Sequence, residues 1–162
     1  MRLQNLKRRK SIPKRKTWRE KLEAEQERKV VDNPKGGGTL LIPKPLDVDA
    51  LMRKVQRGKL ITVNQIRERL ARDYSTDSTC PLCTGIFLRI AAEAAEEDLD
   101  KGVTGIAPYW RVIKTDGSLN EKFPGGVAAQ AAQLEEEGHT IEPGKGKKPP
   151  RVKDFEESLV EL

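Results

Sequence analysis

The sequence predicts a mainly α-helical fold with a small β element, a winged-helix-like domain behind a basic, disordered N-terminal arm. Three observations predict it: two helices with clear start signals after residues 62 and 80, a short aromatic strand near residue 110, and a helix that ends near Gly138. A helix, a connection, a second helix, a strand and a final helix follow the order of a helix-turn-helix domain. A chain of 162 residues accommodates one such domain with appendages.

The two central helices have the clearest start signals. Thr62 is an N-cap residue, and Gln65, three residues later, completes a capping box. Pro81 suits the first position of the second helix, because its missing N–H would have no helical partner there. We expect the second helix to continue to about Asp98.

The first 60 residues carry weaker signals. Thr17 and Glu20 have the form of a capping box and predict a short helix to about Val30. The glycine-rich residues 33–38 predict a flexible linker. A helix is expected over residues 47–57, with Asp47 as its cap.

The composition indicates a cytoplasmic protein. Charged residues make up 35% and aromatic residues 4% of the chain, so the core is expected to be aliphatic and modest. No apolar run reaches the roughly 18 residues of a membrane span, and no signal-peptide pattern occurs. Two cysteines without a secretory signal are typical of the reducing cytoplasm. We expect a cytoplasmic location, with association with the nucleoid as an alternative.

Positive charge is concentrated in the N-terminal arm. Residues 1–19 contain nine Lys or Arg and no acidic residue, so a net charge of +6 leaves −3 for residues 20–162. Such a segment is too polar to bury and favours a phosphate backbone of DNA or RNA as its partner. A solubilising tail is the alternative. The arm cations expected to bind nucleic acid are Lys7, Arg8, Arg9, Lys10, Lys14, Arg15 and Lys16.

The segment Pro108-Tyr109-Trp110-Arg111-Val112 resembles the active-site strand of the alkylguanine-DNA alkyltransferases, which carry Pro-Cys-His-Arg-Val. In that family the cysteine takes the alkyl group from a flipped guanine, and the histidine helps to deprotonate it. The match is to the catalytically inactive alkyltransferase-like proteins, in which another residue replaces the cysteine. Tyr109 and Trp110 stand at the Cys and His positions. A phenol with a pKa of about 10 is a poor nucleophile at pH 7, so we predict that the protein is not an enzyme.

The flanking segments extend the resemblance over roughly residues 40–141. Residues 58–66 are similar to the start of the family's helix-turn-helix, and residues 113–138 follow its order of polar loop, Gly-Gly pair and helix ending in Glu-Gly. We therefore divide the chain into residues 1–38 (arm, short helix and linker), 39–141 (alkyltransferase-like domain) and 142–162. The last part is a basic Pro/Gly linker and a tail expected to pack back as a strand or short helix.

The resemblance implies that the second helix enters the minor groove of DNA, where an Arg fills the gap left by the flipped base and a Tyr rotates the phosphate. Here Val63 stands at the Tyr position and Thr84-Gly85 near the Arg position, with Arg89 one turn further on. These departures argue against base flipping, whereas DNA binding is retained. The acidic end of this helix, residues 93–100, is expected to be a solvated outer face. The predicted contacts in the domain are Thr62, Asn64, Gln65, Thr84, Arg89 and Arg111, with Arg111 also ordering the pocket strand.

Three of the seven aromatic residues, Tyr109, Trp110 and Phe123, cluster at the resembled active site. They are the predicted base pocket, because each aromatic ring that stacks on a base contributes about 1–3 kcal/mol. The alternative, equally favoured, is that the three rings fill the vacated pocket and close it.

No metal or cofactor site is predicted. Cys80 and Cys83 form a single C-x-x-C pair, and the only histidine, His139, lies 56 residues further on, so a Cys/His zinc site would have at most three ligands. The two cysteines are expected to pack as small apolar residues at a helix start. An enzyme that uses them is the least favoured function.

The leading hypothesis is a monomeric, non-catalytic DNA-binding protein of the alkyltransferase-like type, which recognises alkylated or otherwise modified bases and passes them to downstream repair proteins. The competing hypothesis is a basic-armed interaction module that binds RNA, the ribosome or a protein partner on a re-used alkyltransferase fold.

Overall fold

The computed structural model describes residues 15–162. The predictions for Lys7, Arg8, Arg9, Lys10 and Lys14, and for the disorder of the arm, lie outside these residues.

Five helices account for most of the regular structure in the described residues, which confirms the predicted mainly α fold with a small β element. The helices are α1 (Trp18–Glu23), α2 (Pro45–Met52), α3 (Val63–Asp73), α4 (Pro81–Asp100) and α5 (Gly126–Glu136). The strands are β1 (Lys29–Asp32), β2 (Thr39–Ile42), β3 (Ile61–Thr62), β4 (Ser78–Thr79), β5 (Val112–Ile113), β6 (Ile141–Glu142) and β7 (Arg151–Val152). Two 3-10 turns cover Tyr109–Arg111 and Phe155–Ser158. No helix in residues 15–162 is both long and apolar enough to cross a bilayer.

The strands form three small sheets. β2 lies between β1, which is antiparallel to it, and β4, which is parallel. β3 pairs in parallel with β5, with Ile61 opposite Val112, and β6 pairs with β7 in antiparallel fashion. The β3–β5 pair joins the start of α3 to the segment that resembles the alkyltransferase active site.

The start signals of α3 and α4 are confirmed. The Thr62 hydroxyl accepts a hydrogen bond from the Gln65 N–H at 3.1 Å, and Gln65 Oε1 accepts one from the Thr62 N–H at 2.9 Å. Helix α4 begins at Pro81 and runs two residues past the expected end at Asp98. Cys80 is its N-cap, and its Sγ accepts from the Cys83 N–H at 3.2 Å.

Two predictions for the first 40 residues are wrong. Helix α1 ends at Glu23, and Val30 lies in β1. Residues 33–38 are the turn of the β1–β2 hairpin and not a flexible linker, because the Asn33 N–H donates to the Gly38 carbonyl at 2.9 Å. Gly38 has a φ of 103°, which favours glycine in such a turn. The proposed boundary between residues 38 and 39 therefore falls inside a hairpin.

Helix α2 starts and ends earlier than predicted, at Pro45 and Met52 instead of residues 47 and 57. Asp47 does cap the helix, but from its first turn, since its Oδ2 accepts from the Lys44 N–H at 2.9 Å.

The core has two parts. The larger cluster packs α4 against α1, α2 and α3, with Leu22, Met52, Ile66 and Leu88 among its fully buried side chains. The smaller cluster contains Leu60, Ile113, Leu119, Leu134, Val152 and Phe155. The C-terminal tail therefore packs back on the domain through β7 and a 3-10 turn, as predicted.

Candidate nucleic-acid interface

The segment that resembles an active-site strand is a 3-10 turn followed by a strand. Tyr109–Arg111 form the turn, and only Val112 and Ile113 are extended. Tyr109 is 4% exposed, and its ring packs edge-on against both Trp110 and Phe123 with centroid distances of 5.4 Å. The rings of Tyr109 and Phe123 therefore fill the core beneath the turn.

The Tyr109 hydroxyl is hydrogen-bonded to a carboxylate. It donates a hydrogen bond to Glu96 Oε1 at 2.5 Å. Burial, together with the Glu96 carboxylate, raises the pKa of Tyr109 above its usual value. The hydroxyl stays protonated at neutral pH and is a weaker nucleophile than a free phenol.

Glu137 organises the other side of the turn. Its carboxylate accepts hydrogen bonds from Trp110 Nε1 at 2.6 Å, from Arg111 Nε at 2.9 Å and from the Gly58 N–H at 3.0 Å. Burial opposes ionisation of Glu137, but these donors outweigh it and lower the pKa of Glu137.

Arg111 points into the molecule. Besides the pair with Glu137, its Nη1 donates to the Val55 carbonyl at 2.6 Å, and its side chain is largely buried. The guanidinium orders the turn, which the resemblance implied, but this burial contradicts the prediction that Arg111 contacts DNA.

The predicted contacts at the start of α3 are also engaged internally. Thr62 is buried and caps the helix, and Gln65 Nε2 donates to the Val160 carbonyl at 2.8 Å. The burial of Thr62 contradicts its predicted role in DNA contact. Gln65 is half-buried and joins α3 to the C-terminal tail, and its contact with DNA stays a prediction. Asn64 is half-buried and donates to Glu68 Oε1 at 2.9 Å.

Thr84 faces the core instead of the surface. It is 0% exposed, and its hydroxyl donates to the Cys80 carbonyl at 2.8 Å. The prediction that Thr84 contacts DNA is contradicted, because the outer face of α4 carries Leu82, Ile86 and Arg89. The sequence analysis did not identify Leu82 and Ile86 as functional residues. Their i, i+4 spacing, which places two apolar side chains next to each other on one face of the helix, was the signal that could have identified them.

A groove of about 540 Å³ lies between α1, the first half of α4 and the loop of residues 114–122. Of the residues in the domain that were predicted to contact DNA, all of which the structure describes, only Arg89 lines this groove. The full lining is Trp18, Lys21, Pro81, Leu82, Gly85, Ile86, Arg89, Ile90, Lys114, Asn120, Glu121 and Lys122.

The acidic end of α4 holds α1 in place. The Glu97 carboxylate accepts from the backbone N–H groups of Trp18 at 3.0 Å and Arg19 at 2.9 Å, and Asp98 pairs with the Arg19 side chain. Together with the Tyr109–Glu96 bond, these contacts show that the prediction of a solvated acidic face is wrong for Glu96, Glu97 and Asp98. Arg15 and Lys16, both exposed, directly precede this capped helix.

A smaller cavity of about 230 Å³ lies beside the 3-10 turn. Tyr109 and Trp110 line it with Glu96 and Gln133, whereas Phe123 does not reach it. Of the three predicted pocket residues, Trp110 is the one with appreciable exposure.

The cysteines and the histidine are apart. Cys80 and Cys83 are free and half-buried, and burial raises the pKa of Cys83 to about 11, with Cys80 adding to the effect. Burial lowers the pKa of His139, whose Nε2 is buried without a hydrogen-bond partner. Residues 15–162 contain no group of three His, Cys, Asp or Glu side chains placed to bind a metal.

No protein-family model and no curated protein matches the chain. Two solved structures from S. pombe share its fold: Atl1 in complex with damaged DNA containing O6-carboxymethylguanine, and ATL in complex with DNA. Each aligns with a TM-score of 0.50 and 19% identity over 73% of this chain and 94% of the other. The chain therefore has the fold of an alkyltransferase-like protein, as the Pro108–Val112 resemblance predicted.

Proposed function

We propose that this protein is a non-catalytic DNA-binding protein of the alkyltransferase-like type, which recognises alkylated or otherwise modified bases. The observation that carries the proposal is a combination: the chain shares its fold with Atl1, yet has a buried, hydrogen-bonded tyrosine hydroxyl at the resembled cysteine position. Such a protein marks a lesion without repairing it, so downstream repair proteins are its natural partners.

The absence of alkyl transfer is directly testable. The chain is incubated with a duplex containing O6-alkylguanine, beside an active alkyltransferase that verifies the substrate. We expect the mass of the chain to remain that of the unmodified 18.2 kDa protein, because neither the Tyr109 phenol nor the Trp110 indole acts as an acceptor at neutral pH. A stoichiometric alkyl adduct on any residue contradicts the proposal.

DNA binding is tested by competition between three ligands of equal length at one salt concentration: an unmodified duplex, the same duplex with one O6-alkylguanine, and a structured RNA. We expect the modified duplex to bind most tightly. Preference for the RNA overturns the proposal in favour of the interaction module. One observation favours that alternative: the buried rings of Tyr109 and Phe123 close much of the pocket that would hold a base.

The cavity of about 230 Å³ beside Trp110 is the proposed place of the modified base. Replacing Trp110 with Ala should remove a stacking partner and reduce the modified-to-unmodified affinity ratio, by up to the 1–3 kcal/mol that is typical of one stacked base, or roughly 5- to 150-fold. Trp110→Phe is the matched control, since it keeps a ring while losing the bond to Glu137. An unchanged ratio in Trp110→Ala, in a variant that still folds, excludes base recognition at this cavity.

A further inference from the structure

The outer face of α4 leaves two large apolar side chains in solvent. Leu82 is 73% exposed and Ile86 is 49% exposed, one helical turn apart. A single exposed leucine needs no explanation, but these two lie together in the groove between α1 and the 114–122 loop.

Cations surround this apolar pair. The groove is lined by Lys21 of α1, Arg89 of α4, and Lys114 and Lys122 of the loop, and Lys114 forms an ion pair with the single lining carboxylate, Glu121. Residues 20–162 carry a net charge of −3, so this positive groove is a local feature and not a reflection of the average charge.

Two of the cations are held by the wall of the groove. Lys21 Nζ lies 4.1 Å from the centre of the Trp18 ring, and the Arg89 guanidinium lies 5.6 Å from it. Glu97 of α4 holds the backbone of Trp18 by a hydrogen bond. The packed helices α1 and α4 therefore present the apolar pair and these cations together.

The occupant must offer both apolar surface and negative charge. The N-terminal arm is excluded as an occupant because it is itself strongly cationic. Arg15 and Lys16 are exposed next to the Trp18 wall, so the positive charge continues from the groove into the arm. A polyanion that extends over both is favoured over a short acidic peptide, which would engage the groove alone.

Among nucleic acids, those with exposed base faces fit the apolar pair best. An intact duplex hides its base faces in the stack, whereas an unpaired or unstacked step exposes them. Leucine and isoleucine are among the side chains that proteins insert between base steps.

We propose that Leu82 and Ile86 form an apolar wedge that packs against the base faces at an unpaired or unstacked step of DNA, while the groove cations bind the flanking phosphates. This proposal rests on the proposed DNA binding and specifies the DNA that the protein prefers: a locally distorted duplex.

The test compares the full-length chain with Leu82→Ala/Ile86→Ala. The matched control is Leu99→Ala, which removes a leucine that is 50% exposed on the same helix but outside the groove. The ligands are an intact duplex and the same duplex with a two-nucleotide bulge flanked by 2-aminopurine. We expect the wild type and Leu99→Ala to prefer the bulged duplex and to change the 2-aminopurine fluorescence. The double variant should lose about tenfold in affinity for the bulged duplex, because it no longer buries the two aliphatic side chains against the bases. The salt dependence of the double variant should remain that of the wild type.

A charge variant separates the two halves of the surface. Arg89→Ala/Lys122→Ala should weaken binding to both duplexes and reduce the log–log salt slope by about 0.9 per lost phosphate contact, while the preference for the bulge remains. Lys101→Ala, at the far end of α4, is its control.

The outcomes distinguish the wedge from the underlying function. If the chain binds DNA but the Leu82/Ile86 variant keeps the bulge preference, or if no such preference exists, the wedge is wrong and an acidic protein segment becomes the better occupant. If no DNA binds at any salt concentration, the proposed function fails and the wedge fails with it.

Discussion

At the scale of single residues, Glu137 joins parts of the chain that are distant in sequence. It accepts hydrogen bonds from Gly58, Trp110 and Arg111, and its side chain is 3% exposed. A buried ion pair contributes little net stability, but the loss of one partner leaves the other charge uncompensated. The turn beside the proposed base cavity therefore depends on this carboxylate.

Glu137→Ala should lower the free energy of unfolding by about 3–5 kcal/mol, because Arg111 remains buried without its counter-charge. Denaturant unfolding measures the change, and Glu135→Ala, at an exposed position of α5, is the control. If the two variants are equally stable, the Arg111–Glu137 ion pair does not stabilise the 3-10 turn of Tyr109–Arg111.

His139 and Glu137 predict a stepwise loss of stability in acid. Burial lowers the pKa of His139 below its usual 6.5, so the folded state disfavours the charged imidazole and stability falls as the pH drops below about 6.5. The lowered pKa of Glu137 adds a second decline below about pH 4.5, because the unfolded carboxylate becomes protonated there while the folded one remains ionised. Thermal unfolding from pH 8 to pH 3 should show both steps, and His139→Asn should remove the first. A pH-independent melting temperature between 8 and 5 in the wild type contradicts the role of His139.

At the scale of elements, α1 depends on a distant helix. Its six residues are too few for a stable isolated helix, and its own capping box, Thr17 with Glu20, satisfies only part of its first turn. Glu97 of α4 accepts from two further N–H groups of that turn. The position of α1, and with it the Trp18 wall of the groove, is therefore set by α4.

Glu97→Ala should release α1, since a capping side chain contributes about 1 kcal/mol and this one accepts two hydrogen bonds. Limited trypsin digestion should then cleave faster after Arg19 and Lys21, which lie within the helix. Asp100→Ala, an exposed acid at the end of α4, should leave the cleavage rate unchanged. Equal rates in the two variants would show that core packing through Leu22 is sufficient.

At the scale of the whole molecule, charge is separated along the chain. Nine cations precede residue 20, and the remainder carries −3. Long-range attraction to a polyanion therefore comes from the arm, whereas the groove cations act at close range.

Deleting residues 1–16 removes eight of the nine arm cations. With about five to eight phosphate contacts, the full chain should show a log–log salt slope of roughly −4 to −7 on duplex DNA, and the truncated chain a much shallower one. Titrations at several salt concentrations measure both slopes. An unchanged slope places the phosphate contacts elsewhere.

The sequence by itself determined the local features of this protein. The Thr62–Gln65 and Thr17–Glu20 boxes and the Pro81 start depend on bonds within three or four residues, so they are readable from the chain. The charge of the arm is a matter of composition. The Pro108–Val112 segment predicted the fold because Pro108, Arg111 and Val112 match the alkyltransferase pattern although the reactive Cys and His are replaced.

The tertiary structure alone decided which side chains remain at the surface. Thr84 and Arg111 were predicted to contact DNA, but one faces the core and the other pairs with Glu137, 26 residues away. Glu97 caps a helix 79 residues earlier in the chain, and Tyr109 and Phe123 fill the core. Burial and long-range partners depend on how the elements pack, and no local pattern encodes that packing.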